Sequence, residues 1–284
     1  WPIEAYGTEE QKQKYLVPLA SGEKLGAFGL TEPGAGTDAA MQKTVAEDKG
    51  DHWLVNGSKI FITNASEADI FVIFAMTDKS QGTKGISAFI LEKGTPGFTI
   101  GAHEKKMGIR GSATSELVFE DVKLPKENLL GELGKGFKVA MTTLDGGRIG
   151  IAAQALGIGE AAIAATVKYT QERVQFGKPL AKMQALQFMM ADMETKLNAA
   201  RLLTYNAAYL LDTRQPADKA ASMAKYYSAE AAIEIVNKSL QLHGGYGYSR
   251  EYEIERIYRD VRVCSIYEGS SQVQQMVISG QLLK

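Results

Sequence analysis

The chain is poor in the residues that form disulfides and metal sites. It has a single cysteine, Cys264, among 284 residues, which excludes an internal disulfide framework and a cysteine-rich metal site. Its three histidines are far apart in the sequence, so we expect no histidine metal cluster. The formal net charge of −1 argues against recognition of nucleic acid or of a membrane surface by bulk electrostatics. No run of about eighteen apolar residues predicts a membrane span.

The residues that are present describe a globular protein. Hydrophobic residues make up 45% of the chain and charged residues 23%, and the length is sufficient for two domains. The chain begins at Trp1 in what reads as continuing helical structure. We therefore expect an N-terminal portion, together with any targeting segment, to precede it.

Residues 1–25 read as the end of a helical domain. Thr8 followed by Gln11 is a capping-box pattern that predicts the start of a helix. Pro18 and Gly22 are expected to end it.

Residues 26–130 carry the pattern of a β-domain. Asn56-Gly57 stands between β-prone flanks and predicts a hairpin turn. Further strands are predicted at 69–76, 86–91, 98–100 and 117–119. Strands at this spacing without intervening helices predict an antiparallel barrel or sandwich.

Residues 131–284 are rich in alanine, leucine and methionine with few prolines. Four long helices are predicted at 137–170, 180–213, 216–243 and 251–282. The predicted fold class is therefore α+β and multidomain: the remnant of an N-terminal helical domain, an antiparallel β-barrel or sandwich, and a C-terminal four-helix bundle.

Glu268 is the carboxylate whose position is least typical of a surface residue. It follows an apolar stretch and lies between Tyr267 and Gly269. Burial would raise its pKa, and such a carboxylate can take a proton from carbon near neutral pH. On the local pattern alone, a helix N-terminus capped by Ser270 or Ser271 is the simpler interpretation.

Two glycine-rich segments do not predict nucleotide binding. Gly157-Ile-Gly159-Glu-Ala-Ala162 matches the dinucleotide fingerprint, but no strand precedes it, so it predicts a helix-packing surface. Gly131–Gly136 lacks the lysine–hydroxyl ending of a phosphate loop. No serine-hydrolase elbow of the Gly-x-Ser-x-Gly type occurs.

Two strand ends could hold a flat heterocycle. Residues 28–38 end a strand in a Pro/Gly turn bracketed by Thr31 and Thr37, and residues 61–64 repeat the order aromatic, aliphatic, threonine. Aromatic rings would pack on the face of such a ligand and hydroxyls would bind its rim. Taken alone, the first segment is better explained as an ordinary tight turn.

Three further segments are each open to two interpretations. Arg173, near a helix end, suits a pyrophosphate or is a solvated arginine. Residues 241–248 are a helix stop whose paired glycines permit close backbone approach; a plain C-cap explains only one of them. Asp145 and Arg148 flank two glycines and could contact a ligand or form an internal salt bridge.

Taken together, these segments resemble the acyl-CoA dehydrogenase family, and its short-chain, butyryl-type bacterial members in particular. The resemblance covers essentially the whole chain. It is based on FGLTEPGAGTD (28–38), FITN (61–64), LDGGR (144–148), RVQFGKP (173–179), QLHGGYG (241–247) and IYEGSSQVQ (266–274).

The resemblance implies FAD as cofactor, held by the β-domain and the bundle. Residues implied around the flavin are Phe28, Leu30, Thr31, Phe61, Ile62 and Thr63. Residues implied to contact the dinucleotide of a neighbouring subunit are Arg173, Gln175, Phe176, Gln241, Leu242, Gly244 and Gly245. Other implied cofactor positions are Thr37, Gln184, Ser270 and Gln272. The implied acyl-CoA contacts are Thr37, Asp145, Gly146, Gly147, Arg148, Tyr267 and Gly269.

The activity implied by the resemblance is α,β-desaturation of an acyl-CoA thioester with Glu268 as catalytic base. Relatives that carry the base on the earlier helix have a glutamate near Gly147, where this chain has glycines, so Glu268 has no rival. The implied partners are the acyl-CoA, an electron-transfer flavoprotein and further copies of the chain in a homotetramer or homodimer. The implied location is the bacterial cytoplasm.

One departure from the family pattern concerns the N-terminal helical domain, of which only the last helix is expected here. Without that domain one wall of the acyl pocket would be open. If that domain is truly absent, a non-catalytic flavin- or CoA-binding remnant is an alternative. An acyl-CoA oxidase, which shares the fold, is the other alternative.

Overall fold

The computed structural model describes all 284 residues, Trp1–Lys284, and contains two compact units. The first comprises Trp1–Lys106 and Arg110–Thr143, and the second comprises Met107–Ile109 and Leu144–Lys284. The fold class is confirmed: a strand-rich segment is followed by a helical C-terminal segment, as the sequence predicts.

The N-terminal residues form three short helices, α1 (Pro2–Tyr6), α2 (Glu9–Gln11) and α3 (Val17–Ser21). The predicted capping box is present, since Thr8 Oγ1 accepts from the Gln11 N–H at 3.2 Å and Gln11 Oε1 accepts from the Thr8 N–H at 3.1 Å. The prediction that Pro18 ends the helix is wrong. A π-helical turn at Lys12–Leu16 joins α2 to α3 without a break, and the helical run continues past Pro18 to Ser21. The helix ends at Gly22, with φ 79°.

The first unit contains an eight-stranded sheet. Its strands are β1 (Gly26–Gly29), β2 (Val45–Asp48), β3 (His52–Thr63), β4 (Ile70–Met76), β5 (Ile86–Glu92), β6 (Phe98–His103), β7 (Thr114–Pro125) and β8 (Leu129–Leu130). Their order is β6-β7-β3-β2-β4-β5-β8, with β1 beside β4. The sheet is mixed rather than purely antiparallel, because β4 pairs in parallel with both β1 and β2. Strand direction depends on pairing between distant segments, which local sequence patterns do not contain.

The predicted hairpin turn at Asn56-Gly57 is wrong, because both residues lie inside the twelve-residue strand β3. They form a bulge opposite β7, where Asn56 exchanges two hydrogen bonds with Asp121. Gly57 has φ 142°, and a Cβ there would lie 2.7 Å from the Cα of Thr44. Glycine is therefore required by the close approach of Thr44, the residue before β2, and the turn between β2 and β3 occurs around Gly50 instead.

A buried ion pair fixes the segment that follows β1. Lys59, fully buried on β3, places its Nζ 2.8 Å from Glu32 Oε1 and 3.0 Å from Gln42 Oε1. Glu32 also accepts from the backbone N–H groups of Lys43 and Thr44. Burial lowers the pKa of Lys59 to about 8, while the charge of Glu32 opposes that shift.

The second unit is helical. Its long helices are α5 (Gln184–Asp212) and α6 (Asp218–His243), together with most of α4 (Gly136–Glu172). A two-stranded hairpin of β9 (Val174–Gln175) and β10 (Lys178–Pro179) separates α4 from α5. The fourth predicted helix is interrupted: α7 (Ile254–Val261) and α8 (Ser271–Leu282) are separated by a 3₁₀ turn and a loop. Glu268 and Gly269, with φ 53° and 83°, cannot continue a right-handed helix.

The central helix α4 packs through small residues. Ala155, Leu156 and Ala162 lie in the core of the second unit, although α4 is long and apolar enough by length and composition to cross a membrane. A Cβ on Gly159 would lie 3.2 Å from Leu197 of α5, whereas Gly157 faces open space. The apparent dinucleotide fingerprint is therefore a helix-packing surface, as predicted, but it packs through Gly159 and Ala162 rather than through Gly157.

Replacing Lys59 with methionine should destabilise the first unit. The Glu32 carboxylate would stay buried without its counter-charge, which lowers the free energy of unfolding by about 3–5 kcal/mol. Urea denaturation at pH 7 measures the change. Lys123→Met, at an exposed position on β7, is the control and should change stability by less than ~0.5 kcal/mol. Equal stability of the two variants would contradict a structural role for the pair.

Candidate active site

The loop between α7 and α8 presents Glu268 toward α4. The Glu268 side chain is half-buried, and a Cβ built on Gly147 would lie only 2.4 Å from its Oε2 atom. The space that the carboxylate occupies therefore exists because residue 147 has no side chain. Glycine inside a helix reduces stability, so its presence here is explained by this contact rather than by helix formation.

The charges around Glu268 oppose each other. Burial raises the pKa of Glu268 above its ordinary value, although the positive charges of Arg148 and Lys225 favour the ionised form. Arg148 is buried, and its Nη1 lies 2.7 Å from Asp145 Oδ1. The salt bridge that the sequence left open is thus present, while the Arg148 Nε has no hydrogen-bond partner in the chain. The site combines a basic carboxylate with a buried unsatisfied donor.

Two side chains hold the carbonyl groups of the loop. The Gly269 carbonyl accepts from Lys225 Nζ at 2.6 Å and from Gln274 Nε2 at 2.9 Å. The Glu268 carbonyl accepts from the same Gln274 Nε2 at 3.2 Å. The backbone N–H of Glu268 donates to no acceptor within the chain. A free amide N–H beside a basic carboxylate can bind the carbonyl oxygen of a ligand.

Lys225 and Gln274 were not predicted from the sequence as part of this site. Gln274 lies in the segment 266–274, whose resemblance pointed to Ser270 and Gln272 instead. Lys225 had one usable signal: it stands on α6 among small residues such as Ala221 and Ala229, which all face the core. A lysine on the buried face of a helix indicates a specific partner.

The local interpretation of Ser270 as a helix cap also holds. Its Oγ accepts from the Val273 N–H at the start of α8. Tyr267 donates its hydroxyl hydrogen to Gln154 of α4, and burial raises the pKa of that phenol. Gln272 is exposed on α8. The loop is thus fixed on both sides of Glu268.

A cleft of about 600 Å³ in the second unit brings several predicted dinucleotide positions together. Its lining includes Arg173, Gln175, Leu242, Gly244 and Gly245. The Arg173 guanidinium lies 5.2 Å from the ring centre of Tyr246, and Cβ atoms built on either glycine would meet nothing within 4 Å. An arginine beside open glycine backbone fits a pyrophosphate.

Three other predicted positions lie outside the lining of this cleft. Phe176, at the tip of the β9–β10 hairpin, is 93% exposed with φ 52°, and Gln184 and Gln241 are also exposed. In a single chain these three side chains are exposed to solvent. Their exposure is compatible with the expected neighbouring subunit.

In the first unit, the two predicted strand ends lie together. The Thr31 carbonyl accepts from the Ile60 N–H at 2.9 Å, which joins the end of β1 to β3. Phe61 is 60% exposed with φ 59°, and Thr63 is exposed as well. Ile62 is different: its side chain is in the core of the unit, so only its backbone is available to a cofactor. Phe28 is half-buried, Leu30 is buried and Thr37 is exposed.

No group of three or more histidine, cysteine, aspartate or glutamate side chains could hold a metal ion.

Comparison with known families gives two matches. The acyl-CoA dehydrogenase middle domain matches residues 27–122, and the acyl-CoA dehydrogenase C-terminal domain matches residues 134–283. The chain belongs to the acyl-CoA dehydrogenase family.

Individual acyl-CoA dehydrogenases support this membership. The short-chain-specific acyl-CoA dehydrogenase of Clostridium acetobutylicum is 58% identical over 99% of this chain and 74% of its own length. The structure of butyryl-CoA dehydrogenase from Megasphaera elsdenii matches with a TM-score of 0.99 and 57% identity, over 100% of this chain and 74% of that one. A structure described as the electron transferring flavoprotein of Acidaminococcus fermentans matches with a TM-score of 0.98 and 60% identity, with the same coverage.

Gly147→Ala should move the Glu268 carboxylate of this acyl-CoA dehydrogenase without harming its fold. The added methyl group would displace Oε2 by about 1 Å, because nonbonded atoms do not approach closely enough to share the space. Stability should rise by about 0.5–1 kcal/mol, because alanine favours helix over glycine. A crystal structure and a denaturation curve measure the two effects.

Gly157→Ala on the same helix is the matched control, since its Cβ would meet nothing within 4 Å. It should give the same gain in stability with Glu268 unmoved. An unmoved carboxylate in Gly147→Ala would show that Gly147 does not determine where Glu268 lies.

Proposed function

We propose that the protein is an FAD-dependent dehydrogenase of short-chain acyl-CoA thioesters that passes its electrons to an electron-transfer flavoprotein. The observation that carries this proposal is the half-buried Glu268 with a raised pKa beside its own unpaired backbone N–H. A base and a hydrogen-bond donor on one residue match what removal of a proton next to a thioester carbonyl requires.

Glu268 has the role of the base. Its pKa is raised by burial, so the carboxylate holds an abstracted proton better than a solvated carboxylate would. The N–H of Glu268 would donate to the thioester oxygen and stabilise the negative charge that develops there. Gly269, with no side chain, leaves room for the thioester against this backbone. The side chain of Glu268 would thus remove the proton, and the backbone N–H of the same residue would stabilise the charge.

The chain contains residues that fit FAD. The open glycines and the Arg173 guanidinium of the second-unit cleft suit a pyrophosphate, and the exposed Phe61 and Thr63 suit the face and rim of a flavin ring. FAD, when bound, supplies the acceptor for the hydride lost from the β-carbon. The other implied cofactor contacts are Phe28, Leu30, Thr31, Thr37, Gln175, Phe176, Gln184, Gln241, Leu242, Ser270 and Gln272.

The substrate class and the partners are supported by the relatives. Two relatives at 57–58% identity are described as short-chain specific and as butyryl-CoA dehydrogenase, and a third match is described as an electron transferring flavoprotein. A homotetramer or homodimer would give the exposed Phe176 a partner. The oxidase is not favoured, because the relatives at 57–58% identity are described as dehydrogenases. The non-catalytic remnant is not favoured, because Glu268 is half-buried with a raised pKa.

Glu268→Gln should abolish reduction of the flavin by substrate. Glutamine cannot accept the α-proton, and loss of a general base costs about 10²–10⁴-fold in rate. The measurement is anaerobic titration of flavin-loaded protein with butyryl-CoA, followed by bleaching of the flavin absorbance. Both proteins must first retain equal flavin, which serves as the folding control. Bleaching at the same rate in both would rule out Glu268 as the base.

Arg173→Gln should weaken the binding of FAD while leaving the fold intact. Loss of one charge-assisted contact with a phosphate is expected to raise the dissociation constant about tenfold or more. Flavin fluorescence during titration of the cofactor-free protein gives this constant. Lys168→Gln, at an exposed position on α4, the helix that ends one residue before Arg173, is the control and should not change it. Equal affinities would remove the second-unit cleft from the cofactor site.

A further inference from the structure

Lys225 is a fully buried lysine that takes no part in the proposed reaction steps. Its Nζ has one hydrogen-bond acceptor in the chain, the carbonyl oxygen of Gly269 at 2.6 Å. A buried ammonium group is costly unless it is paired or hydrogen-bonded, so a lysine is a poor choice for simple packing on α6. Because its Nζ donates to the carbonyl of Gly269, the residue after Glu268, we infer that Lys225 supports the loop that carries Glu268.

The loop that carries Glu268 needs external support. Glu268 has φ 53°, a conformation that side chains other than glycine rarely adopt, and Gly269 follows with φ 83°. Neither carbonyl of the pair bonds within a helix. Lys225 donates to the Gly269 carbonyl, and Gln274 donates to the carbonyls of both Glu268 and Gly269. Helices α6 and α8 therefore hold the left-handed conformation from outside, and the N–H of Glu268 is left unpaired.

Lys225 also contributes charge. The charged groups that act on Glu268 are Arg148 from α4 and Lys225 from α6, and both favour the carboxylate. Lys225 in turn interacts with Cys264, Glu268, Glu230 and Arg148. Burial lowers the pKa of Lys225 to about 8, so most of the lysine is still protonated at pH 7. Gln274 supplies hydrogen bonds to the same loop without any charge.

We propose that Lys225 is a positioning residue for the base: its ammonium group holds the Gly269 carbonyl, which fixes Glu268 and its free N–H, and its charge favours the ionised carboxylate. This inference rests on the proposed dehydrogenase function. Lys225 would touch neither substrate nor cofactor, and would act through the loop.

Lys225→Met tests the charge through the pH profile of kcat/KM. Glu268 must be ionised to act as base, so activity is lost as pH falls through its pKa. Removing a nearby positive charge raises that pKa, which should move the acid limb to higher pH by about one unit. At a pH below the acid limbs of both proteins, kcat/KM of Lys225→Met should be about tenfold lower than that of the wild type. Lys225→Arg, which keeps the charge and a donor, should restore the wild-type limb.

Gln274→Leu separates the hydrogen bonds from the charge. It removes a neutral donor, so the acid limb should stay where it is in the wild type. Hydrogen–deuterium exchange of the peptide covering 266–270, measured on flavin-loaded protein without substrate, should be faster in both Lys225→Met and Gln274→Leu. Lys219→Met, exposed on the same helix, should change neither measurement. Should Lys225→Met fail to fold, Lys225→Gln removes the same charge and carries the same expected shift of the limb.

Two results would overturn the proposal: an acid limb unmoved in the folded charge-removing variant, or exchange at 266–270 equal to that of the wild type in Lys225→Met. These are distinct from a failure of the proposed function. If the dehydrogenase function itself were wrong, butyryl-CoA would not bleach the flavin of the wild type or of Lys225→Arg.

Discussion

The partial burial of one carboxylate, Glu268, is the constraint on which the site depends. Taking a carboxylate out of water favours its protonated form, and here that effect exceeds the attraction of Arg148 and Lys225. The helix that would have run through this point is interrupted, α4 has glycine where a side chain would collide, and a lysine of α6 is buried to hold the loop. Each of these local features is unfavourable alone and is explained by the position of Glu268.

The first unit has a buried lysine and glutamate that behave in the opposite way. Burial raises the pKa of Glu32, but the charge of Lys59 at 2.8 Å and two backbone donors outweigh it, so the pKa of Glu32 is lowered. Lys225 instead donates to a carbonyl and leaves the Glu268 carboxylate without a direct partner. The same two residue types thus give a structural ion pair in one place and a basic carboxylate in the other. The difference is whether the ammonium contacts the acid or the backbone beside it.

The structural features that depend on residues close in sequence were predicted correctly. The capping box at Thr8, the buried strands, the first three long helices and the helix-packing segment that contains Gly159 all follow from short-range patterns, and the structure has them. Features that depend on contacts between residues far apart in sequence were predicted wrongly. Asn56-Gly57 has the composition of a turn, yet Thr44 and Asp121 make it a bulge. Parallel pairing of β1 with β4 likewise depends on residues more than forty positions apart.

The candidate site shows the same division. Glu268 stands out because aromatic, acidic and glycine residues are adjacent in sequence, but the local pattern alone favoured a helix cap, which the structure has at Ser270. The role of base was implied by the resemblance of several segments to the family. Lys225 lies 44 positions from the carbonyl it holds, so no local pattern pointed to it. The sequence did contain one signal for Lys225: it is a charged residue on the face of α6 that otherwise carries buried alanines and serines. Such a violation of the hydrophobic pattern is itself a signal, because a fold keeps a costly buried charge only where it meets a specific need.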